Sequence, residues 1–345
     1  RTALKLSLAA AVAPELLNRV LSDAAAEAME FTRLAGVSSV GRGTLEHLEL
    51  VLSDLFQSHS KEPPAELFVV ARAYRSRVDD LIRGRHTLTE LRDLYVYAGC
   101  LSELLAWLAH DLGHPRVAQA YAVDCYTHAE QAGHGELCGW ATDAMNAIAT
   151  YTARPDRAVQ AAMKGIAQIP TSHPLAIRLR AKAARDHARL GNRETFDTLF
   201  TEARNLHDQM PTRTSSRHTT NAGTLASHAV TAYSTQAYLW LEDFPAAKTH
   251  GEAALAVHES APPGGSSSGT AAITRLDLAT ALTHLGEPDE ATALGRQALS
   301  ATCALNLNTV RTHARDLNAA LVNRYATLTC VRDFHEQYRT TLLRS

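Results

Sequence analysis

Small residues recur at fixed offsets around five turns centred on Gly113, Ala153, Gly191, Glu242 and Gly286. Seven positions before these turns stand Ala106, Asn146, Ala184, Thr235 and Ala279. Five after come Ala118, Ala158, Phe196, Ala247 and Ala291; nine after, Ala122, Ala162, Phe200, Gly251 and Gly295; twelve after, Cys125, Gly165, Ala203, Ala254 and Ala298. Two antiparallel helices approach closely only where the side chains at their crossing are small. The pattern therefore predicts one helix-turn-helix hairpin used five times. The turns recur every 38 to 51 residues, in the range of helical arrays.

The flanks also read as helix. Residues 14–35 form a predicted helix that stops at Gly36, and a flexible connection runs to Gly43. Thr44 is the expected cap of a helix to about Gln57, with Leu45, Leu48, Leu52 and Leu55 on one stripe. Pro63 or Pro64 opens the next helix, where a missing N–H costs nothing, and it runs to about Arg83. Thr87 to Glu90 is a capping-box pattern for a helix that continues to Leu112. A helix from about Asn308 to Ala326 and a shorter one after Arg332 close the chain. The stretches Pro211 to Thr224 and Ala261 to Gly269 are rich in Ser, Gly, Thr and Pro, and are expected to be mobile surface loops.

Leu285-Gly286-Glu287-Pro288-Asp289-Glu290-Ala291, followed by Ala298-Leu299, resembles a tetratricopeptide repeat. Leu241 to Ala247, followed by Ala254-Leu255, resembles another, and Trp107 and Leu108 ahead of Gly113-His114-Pro115 are similar. The resemblance implies an all-α fold: a right-handed superhelix of antiparallel helical hairpins. The expected layout is an N-terminal linker segment over 1–43, a helical spacer packed on the repeats over 44–89, repeats over 90–305 and C-terminal capping helices over 306–345. The narrower set Arg1 to Leu4, Pro63 to Leu67 and Ala106 to Gly113 resembles the sensor region of actinobacterial XRE-class regulators. That resemblance implies a DNA-binding helix-turn-helix ahead of the repeats. The chain begins with Arg1 rather than Met, and no DNA-reading helix-turn-helix is visible in it.

Composition narrows the options. With 34 basic and 36 acidic side chains the net charge is −2, and no long Lys/Arg run occurs, so tight DNA binding by these residues alone is not expected. The five cysteines form no C-x-x-C pair. They read as small core residues in a reducing cytoplasm. Arg1 and the apolar Leu4 to Val12 stretch, with Ala11-Val12-Ala13 behind it, resemble a secretory leader, but Lys5 interrupts it and the favoured reading is a linker helix. No stretch has the apolarity of a membrane span.

Catalytic signatures are missing. Gly41-Arg42-Gly43 lacks the Lys-Ser/Thr of a phosphate loop, and neither G-x-S-x-G nor H-E-x-x-H occurs. Asp79 and Asp80 adjoin on a helix and diverge. His110/His114 and His128/His134 flank helix-breaking residues without a third ligand, so no metal or other cofactor is expected among the 17 histidines.

The resemblance implies that the first helix of each hairpin lines a concave surface. By helical spacing, the candidate ligand contacts there are Trp107, Asp111, Asp143, Arg178, Arg185, Gln236 and Trp240, joined by Asn146 at a position that small residues usually hold. Asn offers both a donor and an acceptor to a peptide backbone, and Arg178 and Arg185 lie seven apart, suited to a carboxylate such as a peptide C-terminus. The function implied is the ligand-sensing and dimerisation region of a cytoplasmic transcriptional regulator. Its expected ligand is a short peptide or small metabolite, its oligomer a homodimer, and its contact with DNA runs through a domain outside this chain. The alternative is a protein-interaction scaffold with no signal ligand; an enzyme is not expected.

Overall fold

The computed structural model describes residues 24, 27–34, 36–59, 61–210, 222–261, 267–303, 305 and 307–343. Among them there is no strand, and the fold is an all-α, tetratricopeptide-like solenoid of antiparallel hairpins. After a helical stretch over 27–34 come α1 (Arg42–Ser58) and α2 (Pro64–Ile82). Hairpins follow in order: α3 (Leu88–Asp111) with α4 (Pro115–Gln131), α5 (Gly135–Tyr151) with α6 (Pro155–Ile166), and α7 (Pro174–Arg189) with α8 (Arg193–Asp208). Then come α9 (Ala222–Trp240) with α10 (Phe244–Glu259), α11 (Ser268–Leu285) with α12 (Pro288–Thr302), and α13 (Asn308–Tyr325) with α14 (Thr329–Leu343).

The turn centres read from spacing are the residues that turn left-handed. Gly113, Gly191 and Gly286 have φ of 77°, 77° and 90°, and Ala153 and Glu242 have 56° and 57°. Ala153 and Glu242 are the non-glycine residues with positive φ among those described. A left-handed residue ends one helix, and a proline at the start of the next pre-sets its φ, as in Gly113-His114-Pro115, Ala153-Arg154-Pro155 and Gly286-Glu287-Pro288.

The repeated small positions are buried where the helices cross. Ala106, Ala118 and Ala122 pack with Ala109, Ala144 and Ile148, while Ala279, Ala291 and Ala298 pack with Leu282 and Leu317. A Cβ on Gly165 would collide with Thr142 and Leu179, so α6 reaches its neighbours only through glycine there. Ala118→Leu and Ala291→Leu are each expected to cost about 1–3 kcal/mol by overpacking. Thermal denaturation checks this, and unchanged melting of both variants would show the crossing to be elsewhere.

Several sequence expectations change. Helix α1 starts at Arg42 behind an extended Gly41, not at a Thr44 cap: the Thr44 N–H already bonds the Gly41 carbonyl within the first turn. Residues 222–224 and 268–269 belong to α9 and α11 rather than to loops, with Ser267 capping α11. The remaining positions of those two expected loops, 211–221 and 262–266, lie outside the described residues, as do the leader-like stretch 4–12 and most of the helix expected over 14–35. The final helix starts at Thr329, since the Arg332 N–H already bonds the Leu328 carbonyl. With α13 it makes a sixth hairpin. Cys100, Cys125 and Cys138 are buried, but Cys303 is exposed and Cys330 partly so. The Thr87–Glu90 capping box is present as read.

The N-terminal helices are tied to the first hairpin by charge. Arg75 of α2 donates to Asp124 of α4 at 2.9 Å, and Ser102 of α3 also bonds that carboxylate. At the other end, α13 packs against both α11 and α3. Asn308 at its start touches Gly113, its Cβ 3.6 Å from where a Gly113 Cβ would lie. The array thus curls until its sixth hairpin meets its first, and the first helices of the hairpins face inward.

Candidate functional site

The interior is lined by polar side chains from α3, α5, α7, α9, α11 and α13. Asp143 of α5 is fully buried and holds two cations of α7. The Arg178 Nε lies 3.0 Å from both carboxylate oxygens, and the Lys182 Nζ lies 2.6 Å from Oδ1 and 3.1 Å from the Asp143 carbonyl. The Trp107 and Tyr233 rings flank Lys182, 5.4 and 5.7 Å from its nitrogen. Burial alone would push the Asp143 carboxyl up, but Arg178 and Lys182 override it and hold it below its usual value. Burial lowers Lys182 to about 7, against the pull of Asp143, and burial together with the Asp143 charge raises Glu103 to about 8.

A second group lies beside it. Arg185 of α7 donates through Nε to Asp186 Oδ1 at 3.1 Å. Its NH2 nitrogen donates to Asn146 Oδ1 at 3.1 Å and Thr150 Oγ1 at 2.7 Å, and its NH1 to Gln236 Oε1 at 3.3 Å. The Asn146 amide donates to Asp186 at 2.7 Å and to the Ala158 carbonyl at 2.8 Å. Gln236 of α9 donates to Asp277 Oδ2 of α11 at 3.0 Å. Asp277 Oδ1 lies 2.6 Å from His313 Nδ1 of α13, and His313 Nε2 lies 2.9 Å from the Tyr151 hydroxyl of α5. Since Asn146 and Thr150 are also on α5, the chain of bonds returns to the helix where it began.

The structure therefore brings Trp107, Asp143, Asn146, Arg178, Arg185 and Gln236 to one interior face. Trp240 stands at the exposed edge of that face, its ring 5.9 Å from the Arg185 guanidinium and 4.9 Å from that of Arg189. Asp111, at the end of α3, is paired with His59 at 3.3 Å. Arg185 is fully engaged within the protein. Arg178 is not: only its Nε is bonded to a described residue, and its side chain is 14% exposed. Nearby, the buried His110 and His228 each keep an Nε2 with no partner among the described residues. No cluster of metal-ligating side chains occurs among the described residues.

Lys182, Tyr233, Asp277, Tyr151 and His313 were missed by the sequence reading. The signal for four of them is positional. Six residues before the turns stand Trp107, Arg185 and Gln236; nine before stand Lys182, Tyr233 and Asp277; two before stand Asp111, Tyr151, Arg189 and Trp240. Offsets three and four apart share one helix face, so these rows form a single inward stripe. His313 lies in the sixth hairpin, beyond the aligned turns.

No protein-family model and no curated protein sequence matches the chain. Among solved structures it is similar to BtubC (BKLC) from P. vanneervenii, with a TM-score of 0.47 and 16% identity, covering 70% of this chain and 92% of that one. It is also similar to a chain in the APC/C hetero-tetramer Cut9-Hcn1, with a TM-score of 0.47 and 14% identity, covering 84% of this chain and 48% of that one. The chain thus spans about half the length of the latter. Among the described residues, no helix is long and apolar enough to cross a membrane.

Proposed function

We propose that this chain is a ligand-sensing module: it takes a short peptide or small metabolite bearing a carboxylate on its inward face and passes the response to an attached domain. The setting suggested by the XRE-class resemblance is a cytoplasmic, homodimeric transcriptional regulator whose DNA-binding domain lies outside this chain; the module itself is not an enzyme. The observation that carries the reading is Arg178. Its Nε is fixed on Asp143 while its two terminal nitrogens have no hydrogen-bond partner among the described residues. A guanidinium held in this way is oriented in advance for a carboxylate, which it binds through two parallel N–H donors. Trp107 beside Lys182 adds apolar contact area. For binding to signal, the ligand must favour one curvature of the array over another.

The test uses two pools of acetylated tetrapeptides, identical except that one ends in a carboxylate and the other in a carboxamide. Native mass spectrometry of the incubated chain should show retention from the carboxylate pool, weakened by roughly 2–5 kcal/mol in Arg178→Met. Retention from neither pool would contradict peptide recognition, and equal retention from both would remove Arg178 from the site.

A scaffold that docks another protein is the second reading. The exposed Leu50 of α1 and Val69 and Val70 of α2 favour it, because they offer aliphatic surface on the two helices that precede the first hairpin.

A further inference from the structure

The polar circuit closes through one residue whose two side-chain hydrogen bonds both leave its own hairpin. His313 reaches Asp277 on α11 and Tyr151 on α5, and the second bond spans 162 positions of sequence. Every other link joins consecutive hairpins: α5 to α7 through Asn146, Thr150, Arg185 and Asp186, α7 to α9 through Arg185 and Gln236, and α9 to α11 through Gln236 and Asp277. Those links hold neighbours together at any curvature. The His313–Tyr151 bond exists only when the sixth hairpin has returned to the early repeats. The same closure seats Asn308 against Gly113 and sets the Tyr151 ring 5.8 Å from the His313 ring.

We propose that His313 is a proton-dependent latch that holds the two ends of the helical array together. The geometry suits both protonation states, but unequally. With both ring nitrogens protonated, Nδ1 donates to the Asp277 carboxylate and Nε2 donates to the Tyr151 oxygen. Once neutral, the ring keeps the Nδ1 donation and accepts from the Tyr151 hydroxyl, losing the charge assistance. The Asp277 and His313 side chains are only 7% and 16% exposed, so solvent screens their attraction little.

The charged and titratable groups facing His313 are Asp277 of α11, Tyr151 of α5, Arg185 of α7 and Asp316 of its own helix. Burial opposes the charged ring and Arg185 repels it, but Asp277 and Asp316 outweigh both and raise its pKa above the ordinary histidine value. Burial raises the Tyr151 hydroxyl beyond its usual range, so it stays protonated throughout. A raised folded pKa means that the added stability is complete below the unfolded value and is lost as pH rises through the folded one. The bond that strengthens on protonation is the one to Asp277, which seats α13 on α11 most firmly in mild acid and so fixes the ring that reaches Tyr151. This holds whether the inward face binds a ligand or docks a protein.

Amide exchange of α13 between pH 6 and 8.5, corrected for intrinsic exchange, tests the latch. Lys182 and Glu103 titrate in the same interval, so the comparison with His313→Gln isolates the latch. Protection of α13 in the wild type is expected to fall several-fold more across this interval than in His313→Gln or Asp277→Asn. Equal pH dependence in wild type and His313→Gln would overturn the proposal. An NMR titration of His313 in the wild type needs no variant to fold. A midpoint above the ordinary histidine value supports the latch, and one at or below it overturns it.

Discussion

Asp143→Ala is expected to destabilise the fold by about 3–5 kcal/mol, the range for removing one partner of a buried ion pair. The carboxylate is fully buried and faces Arg178 at 3.0 Å and Lys182 at 2.6 Å, so its loss leaves two cations without a counter-charge. Lys182 can shed its proton, since burial already brings it to about 7, whereas Arg178 cannot. The loss is therefore expected to be smaller at pH 8 than at pH 6, and smaller again in Asp143→Ala/Lys182→Met. Urea denaturation at the two pH values measures it. A loss below about 1 kcal/mol at both would place Asp143 on a solvated surface.

Arg185→Met is expected to cost a similar amount, about 3–5 kcal/mol. It strips the buried Asp186 of its cation and takes donors from Asn146, Thr150 and Gln236. Asn146 and Thr150 still donate to Asp186, which keeps that carboxylate partly satisfied. The effect should couple to Gln236→Leu, because the two side chains share a bond and their losses do not add. A double-mutant cycle by urea denaturation checks this, and strict additivity would mean that the bonds do not act as a circuit.

The hairpins were legible because close helix crossings favour small residues. That constraint fixed Ala118, Ala158, Ala247 and Ala291, and even revealed that Ala153 and Glu242 stand where glycine stands in the other turns. Phe196 and Phe200 occupy small positions and are nonetheless buried, stacked at 5.6 Å between centroids, so this crossing is filled by rings rather than closed by alanine. The inward face was half legible. Helical spacing brought out Arg185 and Gln236, but not that Arg185 is consumed by Asp186 one residue later. Sequence offsets carry direction, not partners. Ring closure was not legible at all, since Tyr151 and His313 are related only by accumulated curvature, which no local pattern encodes.

Disulfide trapping tests whether the ends of the array meet. Gly113→Cys and Asn308→Cys would place two Cβ atoms 3.6 Å apart, within disulfide reach. The left-handed backbone at Gly113 makes the cysteine there cost about 1–2 kcal/mol, which the fold should absorb. In the doubly substituted chain under mild oxidation, mass spectrometry should find an intramolecular crosslink between 113 and 308, formed more readily at pH 6.5 than its thiol chemistry alone would give. If both thiols stay free while the exposed Cys303 is oxidised, the ends of the array do not meet, and the closed circuit is contradicted.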